Sequence, residues 1–167
     1  MQHTKGQVAI IGPNDSGCTL EQRAFAHALG RALAAAGRTI VTGGCGGVME
    51  AACKGAVEEG GGRTVCILPD DGQLANRYCD VVIPTGMGMA RNKLVVNSAD
   101  AVVAIGGGAG TLSELAMAWQ LGKRIICITG LGGWSGRLAG VCIDQRSAVP
   151  LASAATVEEV MTWLAHD

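Results

Sequence analysis

The sequence is short of the features that announce most ligand chemistries. Aromatic residues make up 3% of it, too few for a platform on which bases could stack. Neither sign of charge dominates. Thirteen basic and fourteen acidic residues leave a net charge of -1, so the basic footprint of a nucleic-acid binder is missing and no such partner is expected. No apolar run approaches the roughly 18 residues of a membrane span. The first residues, Met1 to Gly6, lead straight into a strand-like run with no signal-peptide pattern, so a cytoplasmic protein without a membrane partner is expected. Seven cysteines are present, but no two form a C-x-x-C pair and the count is odd. That argues against a zinc site or a disulfide framework. The expectation is a reduced set of small apolar residues and no metal site, with Cys45 set apart by its place in a glycine loop.

Several nucleotide fingerprints are missing too. There is no G-x-x-x-x-G-K-[ST], which disfavours P-loop hydrolysis. There is no G-x-G-x-x-G with an acidic residue about 20 positions on. None of Lys5, Lys54, Lys93 and Lys123 stands where a pyridoxal phosphate Schiff base is expected. His3, His27 and His166 lie on the two tails and a helix face, and none reads as catalytic.

What the chain has instead is glycine, 26 in all, clustered where strands should end and helices begin. Short continuous apolar runs over 8–11, 39–42, 64–68, 79–83, 101–105 and 124–129 read as strands. Helical patterns fall over 19–36, 48–59, 89–98, 111–121 and 156–164, three of them opened by capping-box patterns, Thr19 with Gln22, Thr111 with Glu114 and Thr156 with Glu159. The stretch 138–155 gives no readable element. Strands that are apolar throughout, alternating with helices, belong to a parallel sheet covered on both faces. The expected fold is therefore α/β: a single Rossmann-like domain over 1–167, a doubly wound parallel sheet with helices on both faces. No cofactor is expected to be required for folding.

Two dense glycine turns each follow a buried strand and open a helix: Gly43, Gly44, Gly46 and Gly47, then Gly107, Gly108 and Gly110 with Thr111. Helix N-termini at the carboxyl ends of such strands present free N–H groups and the positive end of the helix dipole. Glycine lets an anion come close to that backbone. One such turn would be only a tight turn, but two point to a phosphorylated small ligand. Three charged residues accompany them. Glu114 completes a capping box with Thr111 by local rules, or else faces a ribose or a developing cation. Arg91 is either a solvated arginine or a bidentate clamp on a phosphate or sugar. Glu50 serves the helix dipole, or hydrogen-bonds a ligand hydroxyl.

The run Gly106-Gly107-Gly108-Ala109-Gly110-Thr111-Leu112-Ser113-Glu114, with Arg91 upstream, resembles the LOG family. These are Rossmann-like proteins, often labelled lysine decarboxylase-like, whose hallmark is P-G-G-x-G-T-x-x-E. The stretch from Thr42 to Glu50 resembles the family's first glycine turn, and the likeness runs from Val8 to about Thr129. Characterised members are cytokinin-activating phosphoribohydrolases, which cleave a nucleoside 5′-monophosphate to free base and ribose 5-phosphate. The resemblance implies that the turn and Thr111 hold the phosphate and that Arg91 and Glu114 are catalytic, with no pyridoxal phosphate chemistry. Ile105 stands at the hallmark proline and Asn92 at a usual lysine. With Gly47-Val48-Met49-Glu50, these features look closer to a branch that includes the molybdenum cofactor carrier proteins, which bind a phosphorylated pterin. A carrier-like protein for the molybdenum cofactor (molybdopterin) is thus the first implied function. A phosphoribohydrolase acting on a nucleoside monophosphate is the alternative. The family also implies a homodimer or homotetramer, for which Met117 and Trp119 are candidate contacts.

Overall fold

The computed structural model describes residues 6–165; His3 and His166 lie outside them. Seven strands, β1 Gln7–Ile11, β2 Thr39–Thr42, β3 Arg63–Leu68, β4 Val81–Pro84, β5 Ala101–Ala104, β6 Arg124–Ile128 and β7 Ala152–Ala154, form one sheet of order β4-β3-β2-β1-β5-β6-β7. Every neighbouring pair is parallel. Six helices complete the α/β, Rossmann-like fold: α1 Leu20–Ala35, α2 Val48–Glu59, α3 Asn92–Asn97, α4 Ala109–Gln120, α5 Gly133–Leu138 and α6 Val157–Ala165.

The unbroken apolar strands serve two cores. Val8 and Ile10 point into one, with Leu29, Leu33 and Ala52 from α1 and α2 and Val160 and Leu164 from α6. Their neighbours Ala9 and Ile11 point into the other, with Val95 from α3 and Leu115 and Ala118 from α4. Alternate side chains reach opposite faces, and both faces are covered, so both register positions are mostly apolar, and the buried exceptions Thr42 and Thr64 are hydrogen-bonded. Truncating a fully buried member such as Ile126 to alanine costs about 2–5 kcal/mol. Met117 and Trp119, considered above as contacts between copies, pack against the second core, and the Arg146 guanidinium lies 4.3 Å over the Trp119 ring.

The capping box of α1 forms as its sequence predicts. The Gln22 amide donates to Thr19 Oγ1 at 3.2 Å and the Thr19 amide to Gln22 Oε1 at 3.1 Å. The Gln22 side chain also donates to the Leu131 carbonyl at 2.8 Å, so this cap holds the loop after β6. At α6 the Glu159 amide donates to Thr156 Oγ1, but the Glu159 carboxylate accepts from Ala155 rather than from Thr156. Two elements escape the sequence pattern, α5 inside a glycine-rich loop and β7 in the unreadable stretch.

The cysteine expectation is corrected. Cys66 on β3 and Cys79, just ahead of β4, are joined by a disulfide. The loop from β3 to its parallel neighbour β4 returns the second cysteine beside the first, a pairing across strands that no C-x-x-C spacing signals.

Candidate functional site

The chain leaves β1 through α1 toward β2, while β5 lies on the other side of β1. The carboxyl ends of β1 and β5 therefore flank the topological switch point, where open α/β sheets form their ligand crevice. A cavity of about 450 Å³ occupies this place, lined among others by Asn14, Arg91, Gly108, Gly110, Thr111 and Glu114.

One wall is the first turn of α4. Gly108 is its N-cap residue and supplies no side-chain cap. The first bond of the helix runs from the Leu112 amide to the Gly108 carbonyl at 3.0 Å. The amides of Ala109, Gly110 and Thr111 precede it and have no acceptor among the described residues. This overturns the capping box read from Thr111 and Glu114. The helix begins at Ala109, so Thr111 lies within its first turn and Glu114 a turn deeper, facing inward and 7% exposed.

Glu114 Oε1 lies 3.9 Å from Arg91 Nη1. Arg91 ends the 3₁₀ turn Gly88–Arg91 that leads into α3. Its guanidinium donates to Asn92 Oδ1 at 2.7 Å and to the Gly43 carbonyl at 3.2 Å. Gly43 is needed for that approach: a Cβ there would stand 2.6 Å from Arg91 Nη1. Asn92, buried beside it, donates to Ser113 Oγ, which donates to the Gly110 carbonyl. The Arg91 base and the α4 turn are thus tied together. Arg91 Nε is buried and has no hydrogen-bond partner.

Two effects compete at Glu114. Burial raises the carboxyl's pKa, and the Arg91 charge lowers it. Burial wins and pushes it up to about 7, because 3.9 Å without a direct hydrogen bond recovers less than full desolvation costs. A carboxyl poised there can give or take a proton at neutral pH.

The other glycine turn is built differently. The Gly47 amide donates to Asp15 Oδ1 at 2.9 Å and the Val48 amide to the Pro13 carbonyl at 3.1 Å. Asp15 is also paired with Arg23, and these two bonds hold its carboxyl below the usual range. The Gly44 amide goes to Thr42 Oγ1, and Asn76 donates to the carbonyls of Gly44 and Cys45. Gly43, Gly44, Gly47 and Gly107 line neither that cavity nor the one beside it. Gly46 and Glu50 line an adjoining cavity of about 470 Å³, which shares Asn14, Cys45 and Gln73 with the first.

Sequence reasoning missed Asn14 and Asp15, although the loop after the first strand at a switch point is where they could have been sought. It missed Asn92, read only as a departure from a motif. It also missed Ser135, whose single hydroxyl proton lies between the carbonyls of Ala104 and Ile128, at 2.6 and 2.8 Å, next to the ends of β5 and β6. Glycines around Ser135 gave no signal for it. No helix among the described residues is long and apolar enough to cross a membrane.

Fold and crevice define a Rossmann-like α/β protein with a glycine-framed cavity at its switch point and an arginine–glutamate pair inside it. The chain belongs to the SLOG cluster4 family, whose model matches residues 5–161, in keeping with the LOG-like motif. It is 31% identical over 140 residues to a cytokinin riboside 5'-monophosphate phosphoribohydrolase from Mycobacterium marinum, covering 75% of each chain. It is similar to the molybdenum cofactor binding protein of Rippkaea orientalis, at 32% identity and a TM-score of 0.83, covering 95% of this chain and 94% of that one. The molybdenum cofactor carrier protein of Chlamydomonas reinhardtii is likewise similar, at 29% identity and a TM-score of 0.78, with 95% and 98% covered.

Proposed function

We propose that this chain binds a phosphorylated, nucleotide-like ligand in the crevice between β1 and β5 and acts as its carrier, with the molybdenum cofactor as cargo. The observation that carries this reading is a set of unspent donors on one side of the cavity. They are the amides of Ala109, Gly110 and Thr111, with the Thr111 hydroxyl beside them and the Arg91 side chain lining the same cavity. A phosphate supplies acceptors for all of them at the positive end of α4. Charge-assisted bonds of this kind contribute about 1.5–3 kcal/mol each. Beyond its own chain neighbours, no protein atom lies within 4 Å of where a Cβ on Gly108 would stand, which leaves room for the phosphate. The adjoining cavity beside Glu50 and Asn76 gives a ring system somewhere to extend. Volumes of about 450 and 470 Å³ fall within the usual range for small-molecule sites. The two structural relatives named for the molybdenum cofactor support the choice of cargo. Assembly as a homodimer or homotetramer is part of the same reading.

One observation favours a second reading, a nucleoside 5′-monophosphate phosphoribohydrolase. Glu114 sits beside Arg91 with its carboxyl pushed up to about 7. In its ionised form it would stabilise positive charge developing on the ribose as the glycosidic bond breaks, and orient the attacking water. Water would then be consumed, releasing a free base and ribose 5-phosphate.

Mass spectrometry of ligand retained by the purified protein tests the carrier directly, with a phosphorylated pterin expected. Incubation with AMP tests the alternative. Release of adenine that Glu114→Gln abolishes would replace the carrier by the hydrolase. If Thr111→Ala and Arg91→Ala both left AMP and pterin binding unchanged, the crevice would not be the site.

A further inference from the structure

Three cysteines, each 13 residues from the next, converge beneath the first glycine turn. Cys53 on α2, Cys66 on β3 and Cys79 ahead of β4 have sulfurs within 4.8 Å of one another, with Cys66 and Cys79 bonded. Nothing in the ligand-binding reading uses them. We propose that they form a thiol–disulfide site whose oxidation state sets how firmly the first glycine turn is held, and with it the affinity of the crevice. The affinity part rests on the crevice being the ligand site; the effect on the turn does not.

Two routes connect the disulfide to the turn. Cys79 lies three residues after Asn76, whose backbone amide donates to the Gly44 carbonyl at 2.9 Å and whose side chain donates to the Gly44 and Cys45 carbonyls at 3.3 and 3.2 Å. Cys66 approaches Thr42 Oγ1 at 3.6 Å, and the same oxygen accepts from the Gly44 amide at 3.1 Å. A Cβ on Gly44 would stand 3.1 Å from the Cys66 Cβ, so the turn rests directly on the bonded cysteine. Gln73, in the same returning segment, donates to Cys45 Sγ at 3.1 Å, and both line the crevice cavities.

The chemistry has a direction. Cys53 and Cys66 are buried and Cys79 is half-buried, so an external dithiol reaches Cys79. Its thiolate attacks Cys79 Sγ, the Cys66–Cys79 bond breaks, and Cys66 leaves as a thiolate to which the Thr42 hydroxyl can donate. The second thiol of the reductant then attacks its own sulfur in the mixed disulfide and releases Cys79. Two electrons and two protons pass to the protein, and the dithiol becomes a disulfide. A disulfide-bearing oxidant reverses every step. Cys53 stays outside the exchange, because burial pushes its thiol up to about 11 and only the thiolate is a nucleophile.

The test compares the oxidised protein with the same protein treated with dithiothreitol, by hydrogen exchange, cysteine alkylation mapping and AMP calorimetry. Reduction is expected to speed exchange in the segments 43–48 and 70–80 by about tenfold or more while leaving the α4 turn unchanged. It is also expected to weaken AMP binding about fivefold to tenfold, the scale of one or two net hydrogen bonds. Untreated Cys79→Ser should match the reduced protein, and Cys53→Ala the oxidised one. Unchanged exchange on reduction would overturn the proposal. So would a Cys53 cross-link to either partner, or uptake of one Zn²⁺ per reduced chain that Cys53→Ala removes. Faster exchange with no AMP binding in either state would uphold the thiol–disulfide site and count against the ligand reading alone.

Discussion

The two glycine turns look alike as sequence and have opposite economies as structure. In Gly43 to Gly47 every glycine is enclosed by the protein: Arg91 stands against Gly43, Leu68 and Cys66 against Gly44, Asp15 against Gly46, and Pro13 and Asn14 against Gly47. Its Gly44, Gly47 and Val48 amides are bonded internally, and the Asp15 carboxylate already sits at the N-terminus of α2. In the second turn, Gly106 and Gly107 are enclosed by Gln22 and Thr111, but Gly108 faces open space and Gly110 meets only Met89 Cε at 3.9 Å. The amides there are free. A dense glycine turn therefore marks either a place where the protein packs against its own backbone or a place kept clear for something else. The room at the helix start separates the two: a Cβ on Gly47 would run into the Pro13 and Asn14 backbone, and one on Gly108 would stand clear.

That contrast can be broken or sharpened by substitution. The largest effect is expected at Gly47, which has φ +66° with the Pro13 and Asn14 backbone where a Cβ would go. Gly47→Ala should cost about 3 kcal/mol or more in urea unfolding; a loss under 1 kcal/mol would show the first turn to be slack. Next comes Glu114. Its folded pKa is raised to about 7 from 4.5, so the folded state holds its proton more tightly than the unfolded state. The stability this gives is full below about pH 4.5 and is lost as pH rises through 7, by roughly 3 kcal/mol. Unfolding curves across pH 4 to 8 should show the decline, and Glu114→Gln should flatten it.

Arg91→Ala should weaken AMP binding about a hundredfold, read by calorimetry, since it removes a buried charged donor. Gly108→Ala is the sharpest contrast with Gly47→Ala. It should leave unfolding within about 0.5 kcal/mol of the parent and still weaken AMP binding about tenfold, by placing a methyl where the phosphate is read to sit. Equal binding by Gly108→Ala and the parent would count against that placement. The smallest effect is expected for Asp15→Asn. It should cost about 1 kcal/mol or less, because the Asp15 side chain is largely exposed.

How legible this was in the sequence varied from element to element. Strand–helix alternation with uniformly apolar strands gave the sheet, because burial on both faces leaves no other pattern. Thr19 and Gln22 gave the start of α1, because a capping box is entirely local. The same rule failed at Thr111 and Glu114. Gly108 ends the loop there, and a glycine N-cap leaves no side-chain signature to mark the true first residue. Arg91 was even between surface and site on its own chemistry, and only the motif resemblance raised it. Its burial depends on Gly43, 48 residues away. Asp15's hold on the first turn and the bond between Cys66 and Cys79 were invisible for the same reason: each joins segments that only the sheet order brings together.

The short helix α5 has a consequence for what the second turn can attract. Its Trp134 and Ser135 amides hold the carbonyls of Gly107 and Gly106, each at 3.0 Å. Those two oxygens are therefore spoken for from behind. What the turn presents forward is donors with few competing lone pairs, an electrically one-sided lip. A small helix hidden in a glycine-rich loop thus engages two carbonyls of a turn whose cavity it does not itself line.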